Sequence, residues 1–268
     1  MTRLFVLLGD PVDHSRSPAM QNAAFAAAGV DGVYAALRCD TGAVPGLIRA
    51  IARAGGGGNI TVPHKRVAAE VVEDATDVVR RTGACNTFWL EDGRIRGDNT
   101  DVAAIEASAR RLSGDLAGAR VLLIGAGGVA AAALLAVIDA GADHITVTNR
   151  SPARAEDLIR RLDPSGRSTE IRAVDRLAGN RFDLAINATS LGLRDTDALP
   201  LDLGAVDVGA ALDLVYRPGG TRWVQHAAAT SIAALDGTDI LVAQGAAAFE
   251  RWWRRTAPVE VMHVAAES

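Results

Sequence analysis

The sequence predicts an α/β protein of two domains. Its 268 residues are enough for two ordinary domains, each with its own core. From residue 120 onward, short apolar runs alternate with helical or irregular segments, which is typical of an open parallel sheet. Earlier in the chain the strands and helices alternate less regularly. We therefore predict one domain from residues 1–101 and 238–268, and a second from residues 102–237.

Composition indicates an ordinary soluble protein. Hydrophobic residues make up 49% of the chain and the formal net charge is −4, which argues against a polyanion-binding surface. We therefore expect no nucleic-acid partner. Two cysteines, Cys39 and Cys85, are too few for a disulfide framework, and no signal peptide is recognisable, so we expect a cytoplasmic location.

Residues 121–138 carry no charge and reach the length threshold for a transmembrane helix. Three glycines, Gly125, Gly127 and Gly128, follow a strand-like run, and most of the second half is alanine. We interpret the segment as a strand, a glycine turn and a buried helix, and expect no membrane partner.

The first predicted strand, residues 4–8, leads into a polar loop and a helix start. Ser17 is expected to be the N-cap, Pro18 the first helical residue, and Gly29 the end. Ser15 and Ser17 would then place two hydroxyl groups and free backbone N–H groups at a helix N-terminus. Such a site suits a carboxylate or phosphate, although Ser17 could serve only as a cap.

The next elements are a strand at residues 33–38, a helix at 43–54 and a strand end at 59–62. Four glycines at 55–58 would permit either a close backbone approach or a loose turn. A helix is then predicted from the apolar residues Val67, Ala68, Val71, Val72 and Ala75.

A β-hairpin and a helix are predicted before the second domain. Residues 85–90 and 94–96 flank Asp92 and Gly93, which predicts a β-hairpin. A helix follows at 102–112, with Asp101 at its start, where the helix dipole favours a negative charge.

Lys65 is the only lysine among the 28 basic residues. Arginine stays protonated at any working pH, whereas an ammonium can release a proton, so Lys65 is a candidate for acid/base chemistry. It falls at a strand-to-helix junction, where open α/β sheets place ligands, and Asn59 and Thr61 would point to one side of that strand. The alternative is that an arginine-biased composition left one lysine by chance.

The second domain contains six predicted strands, the number found in a dinucleotide-binding doubly wound sheet. They lie at residues 121–124, 145–148, 170–174, 183–186, 211–215 and 232–235. The first turn has the pattern G-x-G-x-x-A between a strand and a helix. Its residues are Gly125, Ala126, Gly127, Gly128, Val129 and Ala130. These glycines would let a pyrophosphate lie at the helix N-terminus.

The end of the second strand of this domain predicts NADP as the cofactor. An NAD site usually carries an acidic residue there, whereas an arginine accommodates the 2′-phosphate of NADP. This chain has Asn149, Arg150 and Ser151 at that point, then Arg154, and no acid. The alternative is that both arginines are solvated charges at a helix start.

The last elements carry polar residues toward the predicted cofactor. Residues 186–192 leave a strand where a nicotinamide would lie, and Tyr216 follows the next strand. The final helix contains Gln244 and the apolar residues Phe249, Trp252 and Trp253, so we expect it to return to the first domain for burial.

These motifs resemble the shikimate dehydrogenase family over essentially the full length of the chain. The resemblance rests on residues 9–18, 59–65, 83–87, 99–101, 125–130, 149–151, 187–190 and 244–246. It implies a reversible, NADPH-dependent reduction of 3-dehydroshikimate. It also implies an N-terminal substrate domain, a Rossmann-type domain and a monomer or homodimer.

The resemblance also implies roles for individual residues. Lys65 and Asp101 would form the catalytic pair, and Ser15 and Ser17 would bind the substrate carboxylate. The remaining substrate-binding residues would be Asn59, Thr61, Asn86, Tyr216 and Gln244. The cofactor site would include the glycine turn, Asn149, Arg150, Ser151 and Arg154, together with Thr189, Ser190 and Leu193. No metal site is implied.

Three departures and three alternatives accompany this assignment. Gln21-Asn22, Ala104 and Leu193 differ from residues common in the family, and Leu193 lies near the expected nicotinamide region.

A sister activity on quinate or an aminated shikimate would share the lysine and aspartate. A non-catalytic sensor is disfavoured because both are retained. A short-chain dehydrogenase is excluded, because the residue four before Lys65 is Thr61 and not tyrosine.

Overall fold

The computed structural model describes residues 1–166, 168–217 and 219–267. The chain divides into two compact units, one formed by residues 1–100 and 241–268 and the other by residues 101–240. The domain boundaries predicted from the sequence lie at 101/102 and 237/238, so Asp101 was assigned to the first domain and begins the second unit. Among the described residues, no helix combines the length and apolar character needed to cross a membrane.

The first unit contains a mixed sheet with helices packed on it. Its elements up to residue 100 are β1 Arg3–Gly9, α1 Ser17–Ala27, β2 Gly32–Arg38, α2 Val44–Arg53, β3 Gly57–Ile60, α3 Lys65–Val71, β4 Asp74–Ala75, α4 Asp77–Thr82, β5 Thr87–Glu91 and β6 Arg94–Asp98. The described strands lie in the order β2-β1-β3-β5-β6-β4. β1 pairs in parallel with β2 and β3, so all three end at one edge, where the loops before α1 and α3 begin.

The second unit is a parallel sheet of the predicted doubly wound type. Its elements are α5 Asp101–Ser113, β7 Arg120–Ile124, α6 Ala130–Asp139, β8 His144–Thr148, α7 Pro152–Leu162, β9 Thr169–Ile171, β10 Arg181–Asn187, β11 Asp207–Asp213, α8 Arg222–Ala229 and β12 Ala233–Leu235, with a 3-10 turn at Val174–Arg176. The strand order β12-β11-β10-β7-β8-β9 places the crossover between β7 and β10. In such sheets, ligands bind at the carboxyl ends of the strands on either side of that crossover.

Two helices close the chain, α9 Thr238–Trp253 and α10 Val259–Glu267. Phe249 and Trp252 of α9 are buried in one cluster with Phe5 and Phe25. The centroids of the Trp252 and Phe5 rings lie 4.8 Å apart. The Trp252 indole N–H donates to Thr87 Oγ1 at 3.2 Å. The predicted return of the aromatic helix to the first domain is confirmed, and burial of its aromatic face is the physical reason.

Three of the four glycines at 55–58 serve a close backbone approach, whereas Gly55 lies in a turn with φ +83°. Gly57 and Gly58 belong to β3 and are buried between β1 and β5. A Cβ on Gly58 would lie 2.3 Å from the backbone oxygen of Val6, and a Cβ on Gly57 would lie 2.6 Å from that of Phe88. The strand can therefore pass between its neighbours only without side chains here.

Two local predictions for the first unit were wrong. Ser17 is the first residue of α1 and not its cap; Arg16 occupies the cap position, and the Ser17 N–H donates to Ser15 Oγ at 3.2 Å. The helix predicted to include Val72 and Ala75 ends at Val71, because Val72 is extended and Asp74–Ala75 pairs in parallel with β6.

Two strands of the second unit were also misplaced. The strand predicted at residues 170–174 is β9, which ends at Ile171, and Val174 belongs to the 3-10 turn. The strand predicted at residues 211–215 is β11, which begins at Asp207, four residues earlier, and ends at Asp213. Asp207 and Gly209 look like loop residues in the sequence, but this stretch pairs in parallel with β10. Because the strand ends at Asp213 and not at Val215, Asp213 lies at its carboxyl end.

Candidate active site

Two loops at the carboxyl edge of the first sheet are packed together. The Asp10 N–H donates to the Val62 carbonyl at 3.0 Å, and a Cβ on Gly9 would lie 2.3 Å from Thr61 Cγ2. The first loop carries Ser15 and ends at Ser17, which is buried. The predicted anion-binding hydroxyls therefore lie on a loop that contacts the segment leading to Lys65.

The backbone around Lys65 is held from both sides. Lys65 is the first residue of α3 and is half-buried. Its carbonyl accepts from the Cys85 N–H at 2.9 Å. The preceding His64 is buried, and its ring nitrogens contact the Cys39 carbonyl at 2.9 Å and the Thr41 hydroxyl at 3.3 Å. These contacts fix the direction in which the lysine side chain leaves the helix start.

A buried hydrogen-bonded chain orients the two predicted asparagines. The Tyr34 hydroxyl donates to Asn59 Oδ1 at 2.9 Å, and Asn59 Nδ2 donates to the Asn86 carbonyl at 3.2 Å. Asn86 in turn accepts from the Thr100 N–H at Oδ1, at 2.8 Å, and donates from Nδ2 to the Thr100 hydroxyl at 3.0 Å. Burial raises the pKa of Tyr34 well above its usual value, so its hydroxyl stays a donor.

Asp98 holds the turn before Asp101 in place through hydrogen bonds, and no sequence pattern indicated this role. Asp98 is buried and accepts hydrogen bonds from the Thr76 hydroxyl at 2.6 Å and the Asn99 N–H at 2.8 Å. It also pairs with Arg251 of α9 at 2.5 Å. Asp101 itself is buried and begins α5, where the helix dipole favours its charge.

Gln244 lies on α9 next to a tight contact with α1. Its amide nitrogen donates to the Leu241 carbonyl at 2.7 Å. A Cβ on the neighbouring Gly245 would lie 2.3 Å from Met20 Cε, and Gln21 donates to the Gly245 carbonyl at 2.9 Å. Within the first unit, the turn of α9 that carries Gln244 is thus fixed against the first half of α1.

The predicted pyrophosphate turn lies at the crossover of the second sheet. Gly125 has φ +113°, and a Cβ there would lie 2.8 Å from the Ala188 carbonyl, so only glycine fits without strain. Gly127 and Gly128 are exposed, and nothing lies within 4 Å of the position of a Cβ on either. They lie just before Val129, the N-cap of α6, so the turn suits a phosphate approaching the backbone.

Arg150 lies on the turn between β8 and α7, Arg154 lies in the first turn of α7, and both are exposed. Neither guanidinium has an ion-pair partner among the described residues. Asn149 donates to the Ser151 carbonyl at 2.8 Å and shapes this turn. Two unpaired guanidinium groups beside a glycine-rich turn fit the 2′-phosphate of NADP.

A second buried network lies at the ends of β10 and β11. Asn187 accepts at Oδ1 from the N–H and hydroxyl of Thr189, at 3.0 and 2.7 Å, and donates to Asp213 at 2.8 Å. Asp213 also accepts from the Thr221 hydroxyl at 2.6 Å and the Val215 N–H at 3.0 Å. Burial raises the pKa of Asp213 to about 6, although the hydrogen bonds it accepts act in the opposite direction.

The remaining predicted residues of this region are more exposed. Ser190 is exposed, Leu193 is exposed to 48%, and Tyr216 is half-buried one residue after Val215. The Leu193 N–H donates to the Ser190 carbonyl at 3.3 Å, so the two belong to one turn. In the described part of the chain, no group of three or more His, Cys, Asp or Glu side chains is arranged to hold a metal ion.

Three buried residues of these hydrogen-bond networks were missed, and each had a weak signal in the sequence. Tyr34 is one of two tyrosines and lies in a predicted strand. Asp98 and Asp213 are single acids at the ends of strands, which look like ordinary turn residues until their burial is known.

Comparisons with known proteins cover almost the whole chain. The family model "Shikimate dehydrogenase substrate binding domain" matches residues 7–88, "Shikimate / quinate 5-dehydrogenase" matches 107–192, and "Shikimate 5'-dehydrogenase C-terminal domain" matches 237–267. The shikimate dehydrogenase (NADP(+)) of Maricaulis maris is 37% identical over 252 residues, which cover 93% of this chain and 90% of that protein. The chain belongs to the shikimate dehydrogenase family.

Solved structures of the family have the same fold. The shikimate 5-dehydrogenase of Thermus thermophilus, solved in complex with NADP(H) and shikimate, matches with a TM-score of 0.88 at 34% identity. That match covers 99% of this chain and 98% of the other. The predicted family, the predicted fold class and the predicted enzyme class are therefore confirmed.

A structural neighbour with a different name indicates that the fold alone does not identify the substrate. The 5-ketofructose reductase of a Gluconobacter strain matches with a TM-score of 0.87 at 28% identity, covering 100% of this chain and 98% of the other. Members of this fold thus act on more than one polyhydroxylated ketone, and the substrate has to be argued from the site.

Proposed function

We propose that this chain catalyses the reversible reduction of 3-dehydroshikimate to shikimate with NADPH. The observation that carries the proposal is the 37% identity to an NADP-dependent shikimate dehydrogenase over 93% of the chain. The half-buried Lys65, at the start of α3 and preceded by a loop that contacts the serine loop, supports it. The protein is an NADP-dependent oxidoreductase.

The substrate carboxylate binds to the hydroxyls of Ser15 and Ser17. Hydroxyl donors suit an anion, and the buried position of Ser17 strengthens such a hydrogen bond because water competes less. The ring hydroxyls bind Asn59, Thr61, Asn86, Gln244 and Tyr216. Amides held by buried partners discriminate against analogues that lack a hydroxyl, because the protein group is then left unpaired.

Lys65 and Asp101 handle the proton. Bound NADPH supplies the hydride to the ketone carbon. As negative charge develops on the carbonyl oxygen, the Lys65 ammonium stabilises it and donates the proton that completes the hydroxyl group. In the oxidative direction, the neutral amine accepts that proton. Asp101 is the second member of the proposed catalytic pair and, by the family resemblance, keeps the amine oriented.

The residues of the second unit fit NADP. Gly127 and Gly128 leave the backbone open at the start of α6, where the pyrophosphate would be bound by Gly125, Ala126, Val129 and Ala130 as well. Arg150 and Arg154 bind the 2′-phosphate, with Asn149 and Ser151 shaping the turn. Thr189, Ser190 and Leu193 lie on the nicotinamide side. The oligomeric state, expected to be a monomer or homodimer, and the cytoplasmic location stay predictions.

A steady-state assay at 340 nm tests the proposal. Purified protein is incubated with shikimate, quinate, aminoshikimate or fructose, each with NADP and with NAD. We expect the highest kcat/KM with shikimate and NADP, because the relatives bear that name and the β8–α7 turn carries arginine where NAD sites carry an acid.

Three outcomes would contradict the proposal. A clear preference for quinate or fructose would overturn the substrate, and a preference for NAD would overturn the cofactor. Binding of shikimate and NADP without turnover would favour the sensor instead, and calorimetry on the same samples distinguishes that result from inactive protein.

A further inference from the structure

Asp213 is a buried carboxylate outside the proposed catalytic pair. It lies at the end of β11, and its neighbours Asn187 and Thr221 are as fully buried as it is. Burying a charge is costly unless hydrogen bonds satisfy it, and three donors reach this one. The three donors belong to three different segments, so the carboxylate connects them.

One segment is the turn after β10. Asn187 donates to Asp213 and also to the Leu191 carbonyl, at 2.8 and 3.0 Å. Its oxygen accepts from Thr189, whose hydroxyl accepts from the Leu191 N–H at 3.0 Å. Gly192 follows with φ +108°. The turn that carries the proposed nicotinamide contacts is therefore built around the Asn187 amide, and Asp213 orients that amide.

The other segments are the loop after β11 and the start of α8. The Val215 N–H donates to Asp213 Oδ1, which fixes the backbone one residue before Tyr216. Thr221 caps α8 by accepting from the Val224 N–H at 3.3 Å, and its hydroxyl proton goes to Asp213 Oδ2. The loop after β10 and the loop after β11 are thus both held by hydrogen bonds to one carboxylate.

We infer that Asp213 is a positioning residue for cofactor binding, acting through Asn187 on residues 189–192 and through Val215 on the neighbouring loop. A carboxylate offers acceptors to all three donors at once, whereas a neutral acid or amide presents a donor of its own. This inference rests on the proposed NADP-dependent reaction. It assigns Asp213 no contact with substrate.

The charge state of Asp213 provides a readout that a merely structural role would not give. Its pKa is raised to about 6 by burial. Asp236 raises it further. The charged residues on the described loops around this network include Arg194, Asp195, Asp197, Arg217 and Arg222. Below this pKa the acid is neutral and resembles asparagine, so the wild type and Asp213→Asn should converge at low pH.

The test compares NADP+ affinity of wild type and Asp213→Asn by calorimetry between pH 5 and 8. We expect similar affinities at pH 5 and about tenfold weaker binding by the variant at pH 8. The 2′-phosphate of the cofactor also titrates near pH 6, but it is common to both proteins and cancels in the ratio. Steady-state assays at pH 8 should show a raised KM for NADPH and a KM for 3-dehydroshikimate within about twofold of wild type.

Two controls separate positioning from a general loss of structure. Asp207→Asn makes the same substitution at the exposed opposite end of β11 and should leave both KM values unchanged. Thr221→Val removes one donor and should raise the KM for NADPH, whereas Thr221→Ser keeps the hydroxyl and should restore it. Melting temperatures for every variant show whether each is folded.

Equal NADP+ affinities at all pH values, or an affinity ratio that does not change with pH, would overturn the inference. If the wild type itself has no NADP-dependent activity, the proposed function fails instead. The two failures are therefore distinguishable in one series of measurements.

Discussion

Lys65 lies at the one position where this chain uses an ammonium group instead of a guanidinium. Its backbone is held by the Cys85 N–H, and the buried His64 precedes it, so the side chain leaves a rigid point of the fold. A fixed attachment point favours proton transfer, because the donor must meet the developing oxyanion in a narrow range of positions.

The substitution Lys65→Arg should abolish most turnover and keep substrate binding. The guanidinium retains the positive charge but cannot exchange a proton, so kcat should fall by about 10²–10⁴-fold, the usual contribution of general acid–base catalysis. The KM for shikimate should change only a few-fold. Initial rates at 340 nm and calorimetric titration with shikimate measure the two effects.

The adjacent exposed residue offers a matched control. Arg66→Lys makes the reverse exchange one position later and should leave kcat and KM as in wild type. Wild-type turnover in Lys65→Arg would remove the acid/base role from Lys65.

Site residues could be predicted where chemistry and local pattern coincide. Lys65 and the glycine turn come after predicted strands, and Asn59 lies within one. Tyr34 and Asp213 could not be predicted, because their roles depend on burial and on partners distant in sequence. Asn59 lies 25 residues from Tyr34, and Asn187 lies 26 residues from Asp213.

At the scale of elements, the two glycines of β3 help to position Asn59. Gly57 and Gly58 let β3 lie close to β1 and β5, and the next residue is Asn59. The position of Asn59 therefore depends on the absence of Cβ atoms in the two residues before it.

The substitution Gly58→Ala should destabilise the protein by about 1–3 kcal/mol, the usual cost of overpacking a core. The added methyl would lie 2.3 Å from a backbone oxygen, so β1 or β3 has to move. Urea denaturation measures the loss. Because Asn59 would move with β3, we also expect a raised KM for shikimate.

Gly46→Ala is the matched control for this effect. Gly46 is exposed within α2, and nothing lies within 4 Å of the position of a Cβ there. Alanine is the better helix former, so this variant should be as stable as wild type or up to about 1 kcal/mol more stable. Equal stability of both alanine variants would refute the close-approach argument.

Element boundaries were predictable where local signals decide them and not where pairing does. Gly29, with φ +61°, ends α1 as its position predicts, and Asp92 and Gly93 form the expected hairpin turn. By contrast, α3 ends early because residues 74–75 pair with β6, and β11 begins early because it pairs with β10. In both cases, pairing with another strand sets the boundary, and that pairing is not visible in the local sequence.

At the scale of the molecule, the two units have separate aromatic anchors. Trp252 is buried among Phe5, Tyr34 and Thr87 in the first unit. Trp223 is buried in the second, where its indole N–H donates to the Leu201 carbonyl at 3.0 Å. Each residue thus reports on the stability of its own unit.

Trp252→Ala should destabilise the first unit by about 3–5 kcal/mol, the usual cost of removing a buried aromatic side chain. Hydrogen exchange followed by mass spectrometry should show faster exchange in peptides from residues 1–100. Trp223→Ala is the mirror control and should accelerate exchange in peptides from residues 120–235. Identical exchange patterns for the two variants would show that the whole chain opens as one cooperative unit.

The first unit is assembled from both ends of the chain, and this order matters on the ribosome. At about 5–20 residues per second, synthesis of residues 101–240 takes about 7–28 seconds. Throughout that interval Phe5 and Phe25 have been made, but Phe249 and Trp252 have not. The nascent chain therefore carries an uncovered aromatic surface until α9 has been made, while the second unit, continuous in sequence, can already be folded.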